Sequence, residues 1–295
     1  MIKKYFIFFI LFFIISCDGN NDKSDAYGVF EADETTISAE ATGKILELNI
    51  DEGQNLYKNF LAGIIDTADL VLKKEEIIAN KKLIESKFDE ILSNINIFEQ
   101  QKKNFIVEKN RLEKMFKDDA ATQKQLDDIN GKIDLIDKQI ESVNTQKNSV
   151  ACQIQIIDEK IKQIKRNIKK CYIYNPVKGC VLSKYVNKNE IVTIGRPIYK
   201  ISDLKKMTLK VYVSGAQMAN IKIGQKAEVF VDKNKNENRK LSGIVSWISP
   251  KAEFTPKIIQ TKEERVNMVY AVKLIVNNDG YLKIGMPAEV NFIKK

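Results

Sequence analysis

The chain has 295 residues, of which 29% are charged, and a formal net charge of +9 carried almost wholly by lysine. Those lysines are interspersed with Glu, Asp and Asn rather than clustered among aromatics, which describes a solvated helical exterior and argues against a nucleic-acid partner. Histidine is absent, so Ser-His and Cys-His nucleophile pairs and imidazole metal sites are excluded together.

The first sixteen residues form a targeting segment. Lys3 and Lys4 precede an apolar run from Tyr5 to Ile15 that is too short to span a bilayer as a mature helix, the pattern of a cleavable export signal. Ile14-Ile15-Ser16-Cys17 resembles the bacterial lipoprotein processing box. That resemblance implies cleavage after Ser16 and acylation of Cys17, and several acyl chains anchor a protein firmly where one does not. Asp18 resembles the signal that retains enterobacterial lipoproteins on the inner membrane. The polar run 18–26 reads as a tether, so residues 17–34 are expected to hold the lipid-anchored tether and a first strand.

Short β runs with turn residues follow over 35–68. Gly43 to Ile50 alternates at period two, and Gly53 marks a turn. A related stretch returns over 170–203, shifted by 136 positions. Gly43 matches Gly179, Ile45 matches Val181, Ile50 matches Val186, Leu56 matches Val192 and Ile65 matches Ile201. Gly53 matches Asn189 and Asn59 matches Gly195. Glycine and asparagine best tolerate a left-handed backbone, so each exchange preserves a turn. Gly43, Gly53, Asn59, Pro176, Gly179, Asn189 and Gly195 are therefore taken as the turn residues of two matching halves.

Between the halves lies a helical stretch, 69–169. Leu70, Ile77, Ile84, Ile91, Phe98, Phe105 and Leu112 recur every seven residues. After a break near 117–121, Leu126, Ile133, Ile140, Ile154, Ile161 and Ile168 do the same, with Lys147 the one polar interruption. Ile129, Ile136, Val143, Val150, Ile157 and Ile164 form the partner row of a coiled-coil seam. Two arms of about 48 residues, roughly 70 Å at 1.5 Å per residue, predict an antiparallel hairpin that returns the chain to its starting point.

The two β stretches with a helical hairpin inserted between them resemble the split lipoyl-like domain of HlyD/AcrA-type membrane fusion proteins, the periplasmic adaptors, here in lipoprotein form. At the bend, Arg111, Leu112, Met115, Thr122 and Asp127 stand at the spacings of the adaptor tip motif, with Met115 and Thr122 in place of its usual Leu and Ser. The resemblance implies that this tip docks on an outer-membrane exit duct of the TolC type. Physically, Thr122 can cap the second arm and Arg111 presents a planar fork of donors.

After 203 the alternation of Leu209, Val211 and Val213, of Ala227, Val229 and Val231, of Val272, Leu274 and Val276, and of Ala288, Val290 and Phe292 predicts a β domain over 204–295. It resembles the small β-barrel of the adaptors. Ala252–Lys257, Gln260–Arg265 and Leu282–Val290 resemble the subgroup that serves ABC-type exporters. The expected fold is thus α+β: a coiled-coil α-hairpin inserted in a split lipoyl-like domain, followed by a β-barrel.

Cys152 lies outside both seam rows, and Cys171 and Cys180 flank the Asn175-Pro176 turn, either as a disulfide or as two reduced thiols. No cofactor or metal site is expected. A true lipoyl or biotinyl carrier would expose a lysine on the turn between the halves, and here the helical insertion replaces that turn. The resemblance implies a non-enzymatic adaptor in the periplasm, lipid-anchored to the inner membrane. Its expected partners are an inner-membrane transporter, ABC-type or proton-driven, the outer-membrane duct, and further copies of itself in a trimer or hexamer. A coiled-coil envelope tether without a transport role is the alternative reading.

Overall fold

The computed structural model describes residues 24–234, 237–254 and 268–293. The export segment, Cys17, Asp18 and the Gln260–Arg265 stretch lie outside the described residues. In chain order the elements are β1 (Ala26–Glu31), β2 (Glu34–Ser38), β3 (Gly43–Leu48), β4 (Asn55–Leu56), β5 (Leu61–Ile65), α1 (Ala68–Lys117), α2 (Gln123–Lys170), β6 (Tyr172–Tyr174), β7 (Gly179–Lys184), β8 (Ile191–Val192) and β9 (Pro197–Ser202). They continue with β10 (Lys206–Ser214), α3 (Gly215–Met218), β11 (Lys226–Asp232), β12 (Asn238–Ile248), β13 (Glu253–Phe254), β14 (Met268–Asn277) and β15 (Pro287–Phe292). The chain divides into two compact units, one of Met1–Thr35, Lys178–Leu182 and Ile201–Lys295, the other of Thr36–Val177 and Ser183–Lys200.

The first unit holds a closed antiparallel barrel. Among the described residues seven strands follow the order β10-β1-β15-β11-β12-β14-β13, and β10 also pairs with β14, which closes the ring. Closure removes the free edges that an open sheet exposes. Alternate residues point inward, so Leu209, Val211, Val213, Val229, Leu274, Val276 and Val290 share one core. The sequence places a first strand after the tether within 17–34. In the structure that strand, Ala26–Glu31, is a full member of the barrel, with Phe30 opposite Leu209 and Gly28 opposite Ala288.

The two matching halves build two four-stranded sheets of identical plan, β6-β5-β3-β8 and β2-β9-β7-β4. In each, two strands of one half are flanked at both edges by strands of the other. The turns interlock the same way. The N–H groups of Asn59 and Gly195 donate to the carbonyls of Asn175 and Ala39, while those of Asn175 and Ala39 donate to Phe60 and Arg196. These two pairs of bonds are related by the same shift of 136 positions.

The left-handed positions follow the repeat as well: Gly53 and Asn189 have φ of 83° and 71°, Asn59 and Gly195 66° and 88°. Gly43 and Gly179 do not. The expectation that they are turn residues is corrected, because both open strands, β3 and β7. Glycine is needed there for close approach: a Cβ on Gly43 would meet Ile65 Cγ2 at 2.8 Å, and one on Gly179 would meet the Ser202 carbonyl oxygen at 2.5 Å. Pro176 lies in the connection between β6 and β7.

Asn175 is fully buried and its side chain is satisfied from three sides. Its amide nitrogen donates to the Tyr57 and Val177 carbonyls, and its Oδ1 accepts from the Tyr199 hydroxyl at 3.1 Å. Burial pushes the Tyr199 hydroxyl far above its ordinary pKa, which keeps it a donor. Removing the amide takes the partner from the buried Tyr199 hydroxyl and from the Tyr57 and Val177 carbonyls. Asn175→Ala is expected to cost about 2–4 kcal/mol and Tyr199→Phe about 1–2 kcal/mol in a denaturant titration. Asn189→Ala, which forces alanine to a positive φ, should cost about 1 kcal/mol, whereas Asn189→Gly should cost nothing measurable.

Candidate docking tip

The hairpin carries the surface in question. At 1.5 Å per residue the 50 residues of α1 extend about 75 Å. On α2 both seam rows are buried or half-buried along their whole length. On α1 the row from Leu70 to Leu112 is too, and a second row faces the seam beside it: Lys74, Lys81, Phe88, Ile95, Lys102 and Lys109. Sequence reasoning missed this row because four of its six members are lysines. Their apolar stems cover the seam while the ammonium groups reach its rim.

Two of those lysines set the register. Lys81 Nζ meets Asp158 Oδ1 at 2.8 Å, and Lys102 Nζ meets Asp137 Oδ1 at 2.6 Å. Twenty-one residues separate the members on each arm, three heptads in each case, so the arms run in opposite directions without a slip. The Asp158 carboxylate holds the Lys81 ammonium above its ordinary pKa against a smaller effect of burial. Such exposed pairs add little stability, and their use here is alignment. Ile91, Ile95 and Val150 make the best-buried stretch of the seam, with Ile84, Phe88, Val143 and Ile154 packed around them.

The bend is tight and fully capped. Asp119 takes a left-handed φ of 58°. The Ala120 N–H donates to Met115 O at 2.8 Å and the Asp119 N–H to Phe116 O at 3.2 Å, the paired bonds of a Schellman ending. Thr122 then starts α2 with a reciprocal capping box: its N–H donates to Gln125 Oε1 at 2.7 Å and its Oγ1 accepts from the Gln125 N–H at 3.4 Å.

The tip residues divide by exposure. Leu112 and Met115 are half-buried and close the end of the seam, while Thr122 and Asp127 are exposed. Asp127 accepts from Gln123 Nε2 at 2.8 Å. The Arg111 side chain is 72% exposed, and its Nη1 stands 3.9 Å from Glu108 Oε2 on its own helix. Phe116, seven residues beyond Lys109 in the lysine row, is 40% exposed where the seam runs out. It was absent from the sequence-based set, though its heptad position marks it.

Elsewhere, Cys152, Cys171 and Cys180 are free thiols. Cys171 Sγ donates to Asn167 O within the end of α2, and burial, with the Asp66 carboxylate adding to it, pushes its thiol pKa up. Cys180 Sγ donates to Val181 O. Among the described residues no cluster of potential metal ligands occurs, and no helix is long and apolar enough to cross a membrane.

The architecture matches solved structures across almost the whole chain. MacA from Actinobacillus actinomycetemcomitans superposes with a TM-score of 0.57 at 19% identity, covering 90% of this chain and 76% of that one. The membrane fusion protein Spr0693 from Streptococcus pneumoniae R6 superposes with a TM-score of 0.50 at 13% identity, covering 91% and 98%. The chain has the membrane fusion protein fold. In sequence, a UPF0194 membrane protein from Yersinia enterocolitica is 29% identical over 129 residues, 43% of this chain and 39% of the relative. The chain thus spans about two-fifths of the length of the curated relatives it matches. No family model matches it.

For a membrane fusion protein fold with this tip, the capping box is a testable element. Thr122→Ala should cost about 1 kcal/mol of local helix stability and raise amide exchange over the first turn of α2, leaving exchange near Ile91 and Val150 unchanged.

Proposed function

We propose that this protein is a periplasmic adaptor, anchored by lipid on Cys17 to the inner membrane, that joins an inner-membrane transporter to an outer-membrane duct. One observation carries the reading: a capped tip with an exposed arginine stands at the far end of a register-locked hairpin, and the hairpin is inserted between two β halves that hold each other. Such a construction delivers a small surface to a set distance from its base. Catalysis has no part in the role. The ABC-type exporter is the favoured transporter, on the resemblance of the barrel segments, and several copies would line the conduit.

Arg111 supplies recognition and not stability in this scheme. Among the described residues its ion pair is with Glu108, at 3.9 Å, and its side chain is largely exposed, which leaves a guanidinium fork accessible to carbonyls or carboxylates on the duct. The Leu112, Met115 and Phe116 side chains offer the apolar contact beside it.

Arg111→Glu should leave expression, melting temperature and membrane fractionation unchanged while export falls by about tenfold or more, since a reversed charge at a docked surface costs several kcal/mol. Export at the native rate with normal protein levels would favour the envelope-tether reading. Crosslinking of intact cells should also return ring-sized adducts, and a monodisperse monomer would count against the assembly.

A further inference from the structure

One outer face of the barrel is chemically unlike the rest. Directly opposed residues of antiparallel strands share a face. Val29, Lys210, Lys273 and Trp247 therefore form one row across β1, β10, β14 and β12. Ile275 and Ile244 sit opposite each other in the adjacent row, and Tyr27 opposite Tyr212 on the other side. Tyr27 is 54% exposed, Ile244 49%, Ile275 45%, Val29 42% and Trp247 39%. The Lys273 ammonium stands 5.5 Å from the centre of the Trp247 ring, and that of Lys210 5.3 Å from Tyr212. The face is bounded by carboxylates, Glu289 opposite Tyr27 and Glu253 paired with Lys210 at 3.4 Å. Further around the barrel, β11, β12 and β15 present the Glu228–Lys240 ion pair and Asn291.

We propose that this face rests on the lipid surface, with Tyr27, Val29, Trp247, Ile244 and Ile275 at headgroup depth and Lys273 turned to lipid phosphates. Amphipathic aromatics with lysines whose stems lie along them are the side chains that suit a membrane interface, where apolar bodies and cationic tips are both satisfied. Scattered exposed apolar residues are ordinary on a soluble barrel, but a contiguous patch on one face needs a cover. Lipid is the fitting cover because of chain length. Tyr27 lies ten residues after Cys17, a span of at most about 36 Å when fully extended, and β1 is the first strand after that point. This step rests on the lipid-anchor reading above. With the anchor holding the barrel at the membrane, the patch gains a second contact at high effective concentration.

The protein contains a single tryptophan, Trp247, which makes the contact directly readable. The full chain and its Cys17→Ser variant are mixed with vesicles of phosphatidylethanolamine and phosphatidylglycerol carrying brominated acyl chains. Flotation reports the anchor and tryptophan emission reports the patch. The wild type should float with loss of most Trp247 emission. Ile244→Ser/Ile275→Ser should float equally and keep its emission, with unchanged circular dichroism. Cys17→Ser should need far more lipid for the same quenching.

A wild type that floats with unquenched Trp247 overturns the proposal and leaves the anchor standing. One that fails to float yet is quenched at high lipid supports the patch and sinks the anchor, and one that does neither sinks both. Emission that shifts in native inner-membrane vesicles but not in pure lipid assigns the face to a protein partner and overturns the lipid assignment.

Discussion

The placement of the hairpin depends on four crossed hydrogen bonds between two similar halves. Asn59 and Phe60 clamp Asn175, and Gly195 and Arg196 clamp Ala39 in the same way. Each half supplies the edge strands of the other's sheet, so neither sheet is complete without residues from both sides of the insertion. The amide of Asn175 sits at the middle of this clamp, fully buried, and ties the Tyr57 turn to the Tyr199 hydroxyl. A buried network of this kind is fully satisfied or costly, and here it is satisfied.

The hairpin follows from that constraint. The Ile65 N–H donates to Cys171 O at 2.8 Å, so the helices leave and re-enter the β core one hydrogen bond apart. Any excursion must then return to its origin, and two antiparallel helices of nearly equal length do so with the least unsatisfied backbone. The seam holds them by apolar rows, and the Lys81–Asp158 and Lys102–Asp137 pairs hold their phase. The bend is where this construction presents its far surface. With the base pinned and the register set, the position of Arg111 and Phe116 is decided by helix length alone.

How much of this was legible in the sequence depended on how local each signal was. The seven-residue rows of α2 announced a helix with one sticky face, because every member was aliphatic apart from Lys147. The second row of α1 was hidden because side-chain type, and not position, is what a hydrophobic pattern records; lysine stems bury without reading as apolar. The left-handed turns at Gly53, Asn59, Asn189 and Gly195 stood out because glycine and asparagine were exchanged between repeats. Gly43 and Gly179 looked like the same signal but answer to a neighbour's bulk and not to backbone torsion, which no local pattern distinguishes. The place of β1 in the barrel was invisible for a related reason: its partners, Leu209 and Ala288, lie on the far side of the whole insertion. At the tip, the cap at Thr122 was readable from residue type, whereas Phe116 gained its meaning only once the end of the seam was seen.

The central claim is that the interlocked halves are the foundation and the hairpin an insertion that they carry. Replacing 68–170 with a short Gly-Ser turn, and following amide exchange of the trimmed protein, tests it most directly. The account predicts that the amides of Ala39, Asn59, Asn175 and Gly195 keep their protection, because the bond between Ile65 and Cys171 already brings the cut ends together. Rapid exchange at those four amides would contradict it, and would mean that the helices hold the halves together.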